Sequence, residues 1–108
     1  PVNYSITYPR TIELVNSGTL VIRPTFIIEG SATSLTLAMN GKSFSLPSFL
    51  NVTYEVNGEN YTVKKNGAND LKSMTGDFLE LMPGVNQLSI SGTSLNFNLS
   101  IIYRYRYL

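Results

Sequence analysis

Along residues 95–108 apolar and polar side chains alternate. Leu95, Phe97, Leu99, Ile101, Tyr103, Tyr105 and Tyr107 fall on one side of an extended backbone, and Asn96, Asn98, Ser100, Arg104 and Arg106 on the other, because successive residues of a strand point to opposite faces. A helix would scatter both sets around its axis, so the period of two predicts a strand with one dry face and one wet face. Fully extended, it would reach roughly 40 Å at about 3.3 Å per residue, longer than strands usually run, so a bend or a change of partner sheet is expected partway. The three tyrosines are expected to close the end of the core with their hydroxyls at its rim. Ile102, the apolar residue on the wet face, together with Arg104 and Arg106, marks a candidate contact surface.

The same alternation recurs upstream. Residues 11–16 put Ile12 and Leu14 on one face, and residues 22–30 alternate through Phe26 and Ile28. Pro24 has no amide to donate, which assigns it to a strand's beginning or an edge. Leu35, Leu37 and Met39 share a face, and Asn40-Gly41 turns the chain into residues 42–46. Asn-Gly between alternating segments predicts a two-residue type I′ hairpin, whose two central residues need positive φ. A second Asn-Gly, Asn57-Gly58, is expected to join Val52, Tyr54 and Val56 to Tyr61 and Val63. A third, Asn66-Gly67, opens a less regular loop, with room for a short helical turn over 68–75. Residues 78–81 read as a short strand, Pro83-Gly84 as the centre of a type II turn, and 87–91 as a strand with Leu88 and Ile90 inward. Residues 1–10 show no clear periodicity and suit an extended entry or linker to a single domain over 11–108. Eight or nine short strands with no long amphipathic helix predict an all-β antiparallel sandwich or jelly roll.

Composition narrows the chemistry. The chain of 108 residues contains neither His nor Cys, which excludes a Ser-His-Asp triad, a Cys-His pair, a disulfide and an ordinary zinc site. Seven carboxylates are present, at Glu13, Glu29, Glu55, Glu59, Asp70, Asp77 and Glu80, but they lie at polar strand positions or turns, where solvated surface charge accounts for them. The oxygens of residues 66–70 match no EF-hand spacing, and a tight turn explains them equally well. A net charge of +1 without a run of one sign is a poor footprint for nucleic acid, and no apolar run approaches the roughly 20 residues of a membrane helix. No catalytic residue, cofactor or metal is therefore expected. Four Asn-x-Ser/Thr triplets begin at Asn3, Asn51, Asn60 and Asn98, against about two expected by chance from this composition. The opening Pro1-Val2-Asn3 lacks an initiator Met and is read as a domain cut from a longer polypeptide or as a processed product.

The passage Phe78-Leu-Glu-Leu-Met-Pro-Gly-Val-Asn-Gln-Leu-Ser-Ile-Ser-Gly92, followed by the long strand ending in Tyr-Arg-Tyr, resembles the C-terminal domain of siphophage distal tail proteins, as do Asn16-Ser-Gly-Thr19 and Pro24-Thr-Phe-Ile-Ile-Glu-Gly30. That resemblance implies a galectin-like or carbohydrate-module-like sandwich. It would hang from an N-terminal domain that forms a homo-oligomeric ring, and contact other tail or receptor-binding proteins at the virion's tail tip after production in the bacterial host cytoplasm. It implies a structural role without catalysis. Two alternatives stay open: a module for cell-wall glycan with Tyr54, Tyr61 or the terminal tyrosines as platform, and an adhesin-like domain of a bacterial surface protein. With neither Trp nor His, glycan binding would rest on Tyr and Asn.

Overall fold

A computed structural model describes residues 2–105. The alternating segments pair into two antiparallel sheets that face each other across one apolar core, an all-β sandwich. In chain order the strands are β1 (Val2–Ile6), β2 (Arg10–Asn16), β3 (Thr25–Ala32), β4 (Ser34–Met39), β5 (Lys42–Leu46), β6 (Phe49–Asn57), β7 (Thr62–Lys65), β8 (Ala68–Asn69), β9 (Thr75–Gly76), β10 (Gly84–Thr93) and β11 (Asn96–Ile102). One sheet has the order β1-β11-β3-β6-β7-β8 and the other β2-β10-β4-β5-β9. A single turn of 3-10 helix, Leu71–Ser73, lies in the stretch expected to hold a helical turn.

Inward positions follow the period of two. Leu88 and Ile90 on β10, Leu95, Phe97, Leu99 and Ile101 on and before β11, and Phe26 and Ile28 on β3 are all buried. Residues 2–6, expected as an unpatterned entry, are instead a strand of the sandwich: β1 pairs with β11 from Val2↔Ile101 to Ile6↔Phe97, and Ile6 is fully buried. The signal was a short one, Tyr4 and Ile6 separated by Ser5.

The last strand stops sooner than its pattern suggests. β11 ends at Ile102, opposite Thr25 of β3. The next partner on β3 would be Pro24, which has no N–H for a ladder. Beyond that point Tyr103 is half-buried against the core and Tyr105 is 47% exposed, so the inward alternation is lost with the pairing. Tyr107 and Arg106 lie outside the described residues.

Of the three Asn-Gly pairs, Asn40-Gly41 and Asn66-Gly67 carry positive φ at both residues and close two-residue hairpins, β4–β5 and β7–β8. Asn57-Gly58 does not. Asn57 pairs with Thr62, leaving a four-residue loop in which Tyr61, not Gly58, takes positive φ, at 55°. Gly58 serves another need: its N–H donates to the Pro24 carbonyl at 3.3 Å, and a Cβ there would stand 2.9 Å from Cβ of Arg23. Residues 78–81 are also corrected, since they form no regular strand. Leu79 and Leu81 are buried and Leu81 makes one isolated bridge to Ile22. Burying each leucine contributes about 1.5–3 kcal/mol, which holds the segment extended without a ladder.

Candidate functional site

Two inward positions of the β2–β10 pair are polar. Asn16 and Asn86 are 2% and 1% exposed, and each spends its amide on neighbouring loops. Asn16 Nδ2 donates to the carbonyls of Leu20 and Leu81, and its Oδ1 accepts from Gly18 N–H. Asn86 Oδ1 accepts from Met82 N–H at 2.9 Å and from Asn40 Nδ2 at 2.7 Å, while its Nδ2 donates to the carbonyls of Met82, Gly84 and Leu14. Asn40 Nδ2 also reaches the Glu80 carbonyl at 2.8 Å. A buried amide left unpaired is costly, so these bonds fix residues 18–23 and 80–84 against each other.

The clamp positions an ion pair. Ile22 and Leu81 exchange both backbone hydrogen bonds, at 3.0 and 2.7 Å, which sets Arg23 beside Glu80, and Arg23 Nη2 meets Glu80 Oε2 at 3.2 Å. The Arg23 guanidinium also lies over the ring of Tyr61, 5.6 Å from its centroid. Phe78 meets the same ring edge-to-face at 5.4 Å. Tyr61 is 52% exposed and is held by a loop in which Asn57 Oδ1 accepts from Asn60 N–H. For a residue with a bulky side chain, left-handed backbone costs roughly 1–2 kcal/mol. The loop thus bears a strain that Gly or Asn at this position would reduce.

Three concavities meet along this edge. A cleft of about 290 Å³ is lined by Arg23, Lys42, Tyr61, Asp77, Phe78 and Glu80. Arg23 is shared with a smaller hollow of about 190 Å³ beside Glu59 and Asn60. Tyr61 forms the wall between the first cleft and an apolar groove of about 250 Å³ floored by Val63 and flanked by Leu71. The central cleft has balanced charge, two cations against two carboxylates, together with two aromatic rings.

A second tyrosine–arginine cluster stands at the opposite edge of the six-stranded sheet. The Arg10 guanidinium is 5.8 Å from the ring centroids of both Tyr4 and Tyr8, and Tyr103 and Tyr105 contact each other at 5.9 Å. Burial raises the Tyr103 phenol above its ordinary pKa, and neighbouring Tyr105 and Tyr4 push it further. Ile102, at 41% exposure, and Arg104 lie in the open here.

The five residues expected on a contact surface separate accordingly. Ile102 and Arg104 are exposed at the terminal edge, Tyr61 is exposed in the clamped cleft, and Arg106 lies outside the described residues. Tyr54 is a correction: it is fully buried, packed edge-on against Phe49 at 5.3 Å, because it continues the inward row of Val52 and Val56. Its hydroxyl has no hydrogen-bond partner among the described residues. In the 66–70 loop, Asn66 Oδ1 accepts from Thr53 N–H and Asp70 bonds the Ser73 hydroxyl, and no group of three or more acidic side chains placed to hold a metal ion occurs among the described residues. Arg23, Glu80 and Asn86 carry no local sequence signal of their roles. Comparison with known proteins finds no matching family model, no matching curated protein and no matching solved structure.

Proposed function

We propose that this chain is a non-catalytic module of a phage or prophage tail tip, of the outer-domain kind found in siphophage distal tail proteins, and that it docks on neighbouring tail proteins. The observation that carries the docking role is the terminal cluster. Tyr8, Tyr105 and Ile102 are exposed at 58%, 47% and 41%, and Arg10 and Arg104 make no ion pair among the described residues. Tyrosine and arginine are residue types that interface centres favour, since tyrosine brings a large amphipathic contact area and arginine a planar charge with several donors. Unpaired arginines suit an acidic partner surface. The tail-tip assignment rests on the resemblance of residues 78–92 and of the strand that follows them. In this reading the ring belongs to a preceding domain, the module performs no reaction, and the protein resides at the tip of the virion.

Antibody raised against the domain, applied to phage particles from the source strain and viewed by electron microscopy, tests the assignment. Label confined to the tail tip is expected. Label on the bacterial surface with none on particles would refute it in favour of an adhesin.

A further inference from the structure

We infer that the clamped cleft around Tyr61 is a binding site for an uncharged pyranose saccharide. Strain is the first reason. The chain holds a half-exposed tyrosine in left-handed backbone as the last residue of a four-residue loop, where a smaller residue would sit more easily, and such outliers concentrate where a side chain's position matters. Its surroundings are the second. Arg23 lies over the Tyr61 ring and is itself fixed by Glu80, and Phe78 packs at a right angle to that ring, so the platform is oriented before any ligand arrives.

The ligand class follows from the lining. Arg23, Lys42, Asp77 and Glu80 all line the cleft, with Arg23 paired to Glu80, giving no excess charge to attract a phosphate, a uronate or a polyanion. The four side chains offer both donors and acceptors, which hydroxyl groups require, and the two rings offer an apolar surface for one C–H face of a sugar. The volume of about 290 Å³ falls just under the roughly 300–1,000 Å³ range of drug-sized pockets, which fits one ring. The apolar groove beyond Tyr61 leaves room for a second ring. Short oligosaccharides therefore bind more tightly than single sugars. The inference does not depend on where the module resides, so it stands or falls separately from the labelling experiment.

Calorimetry with methyl glycosides and disaccharides of neutral hexoses and N-acetylhexosamines, beside glucuronate and sialic acid, is the test. Saturable binding of at least one neutral sugar is expected. Tyr61→Gly, which removes the ring and relieves the backbone, should weaken it about tenfold or more while the melting temperature stays close to wild type, and Tyr61→Phe should retain most of it. Absence of saturable binding to any neutral sugar at tens of millimolar, preference for the anionic sugars, or wild-type binding by Tyr61→Gly would each overturn the inference.

Discussion

Tyrosine and arginine meet at both edges of the same sheet, and the two meetings are built differently. At the Tyr61 edge the arginine is held by a carboxylate, the carboxylate's backbone is held by Asn40, and Asn40 is held by the buried Asn86. At the terminal edge Arg10 rests between Tyr4 and Tyr8 with no carboxylate partner among the described residues, and the neighbouring Tyr103 and Tyr105 follow the end of β11. The first arrangement is preorganised, with the cost of ordering met during folding; the second can adapt to whatever covers it. Identical residue types thus acquire different roles from what stands behind them.

Asn86→Ala gives the largest expected effect on that contrast. It strands Met82 N–H and several carbonyls, each worth about 1–3 kcal/mol when buried and unpaired, so a loss of about 3 kcal/mol is expected in urea unfolding, and the Tyr61 cleft should lose its saccharide binding with it. Wild-type stability in this variant would mean that the clamp does not hold the cleft. Tyr54 belongs to neither edge and serves as a reference. Removing its unpartnered hydroxyl in Tyr54→Phe should raise stability by about 1 kcal/mol, and a drop would reveal a hidden partner. Arg10→Ala should cost only about 0.5–1 kcal/mol, the worth of an exposed cation–π contact, and leave the Tyr61 cleft untouched; a loss comparable to that of Asn86→Ala would erase the distinction between the edges.

The smallest effect is in alkali. Tyr103 has its phenol pKa raised above 10.0, first by burial and then by Tyr105 and Tyr4. A raised folded value means that the native state keeps a proton the unfolded chain releases, so this stabilisation is complete below pH 10 and disappears as pH climbs through the raised value. Tyr103→Phe should flatten that part of the decline in melting temperature between pH 9 and 11. An unchanged alkaline profile would place Tyr103 in solvent.

Much of the sandwich could be read from its letters, because the inward rows are purely local patterns. Leu95, Phe97, Leu99 and Ile101 announce their face within one strand, and Asn40-Gly41 announces its turn within two residues. Reading failed wherever a distant neighbour decides. Gly58 does not supply a hairpin's positive φ but bonds the distant Pro24 carbonyl, and Tyr103 leaves the inner row where Pro24 ends the ladder opposite. Leu79 and Leu81 alternate like a strand, yet among the described residues the bridge between Leu81 and Ile22 is the one pairing they make. The cleft was the least legible part. Tyr61 was a surface candidate from its residue type alone, whereas Arg23 and Glu80 meet across a separation of 57 residues, which only the completed fold supplies.

Amide chemical-shift mapping during titration with neutral methyl glycosides tests the contrast directly, since both edges report in one spectrum. Shifts confined to residues 22–23, 42, 58–62 and 76–80, with residues 4–10 and 102–105 unmoved, are what a preorganised Tyr61 cleft requires. Shifts gathered instead at the terminal tyrosines, or at neither edge, would contradict it.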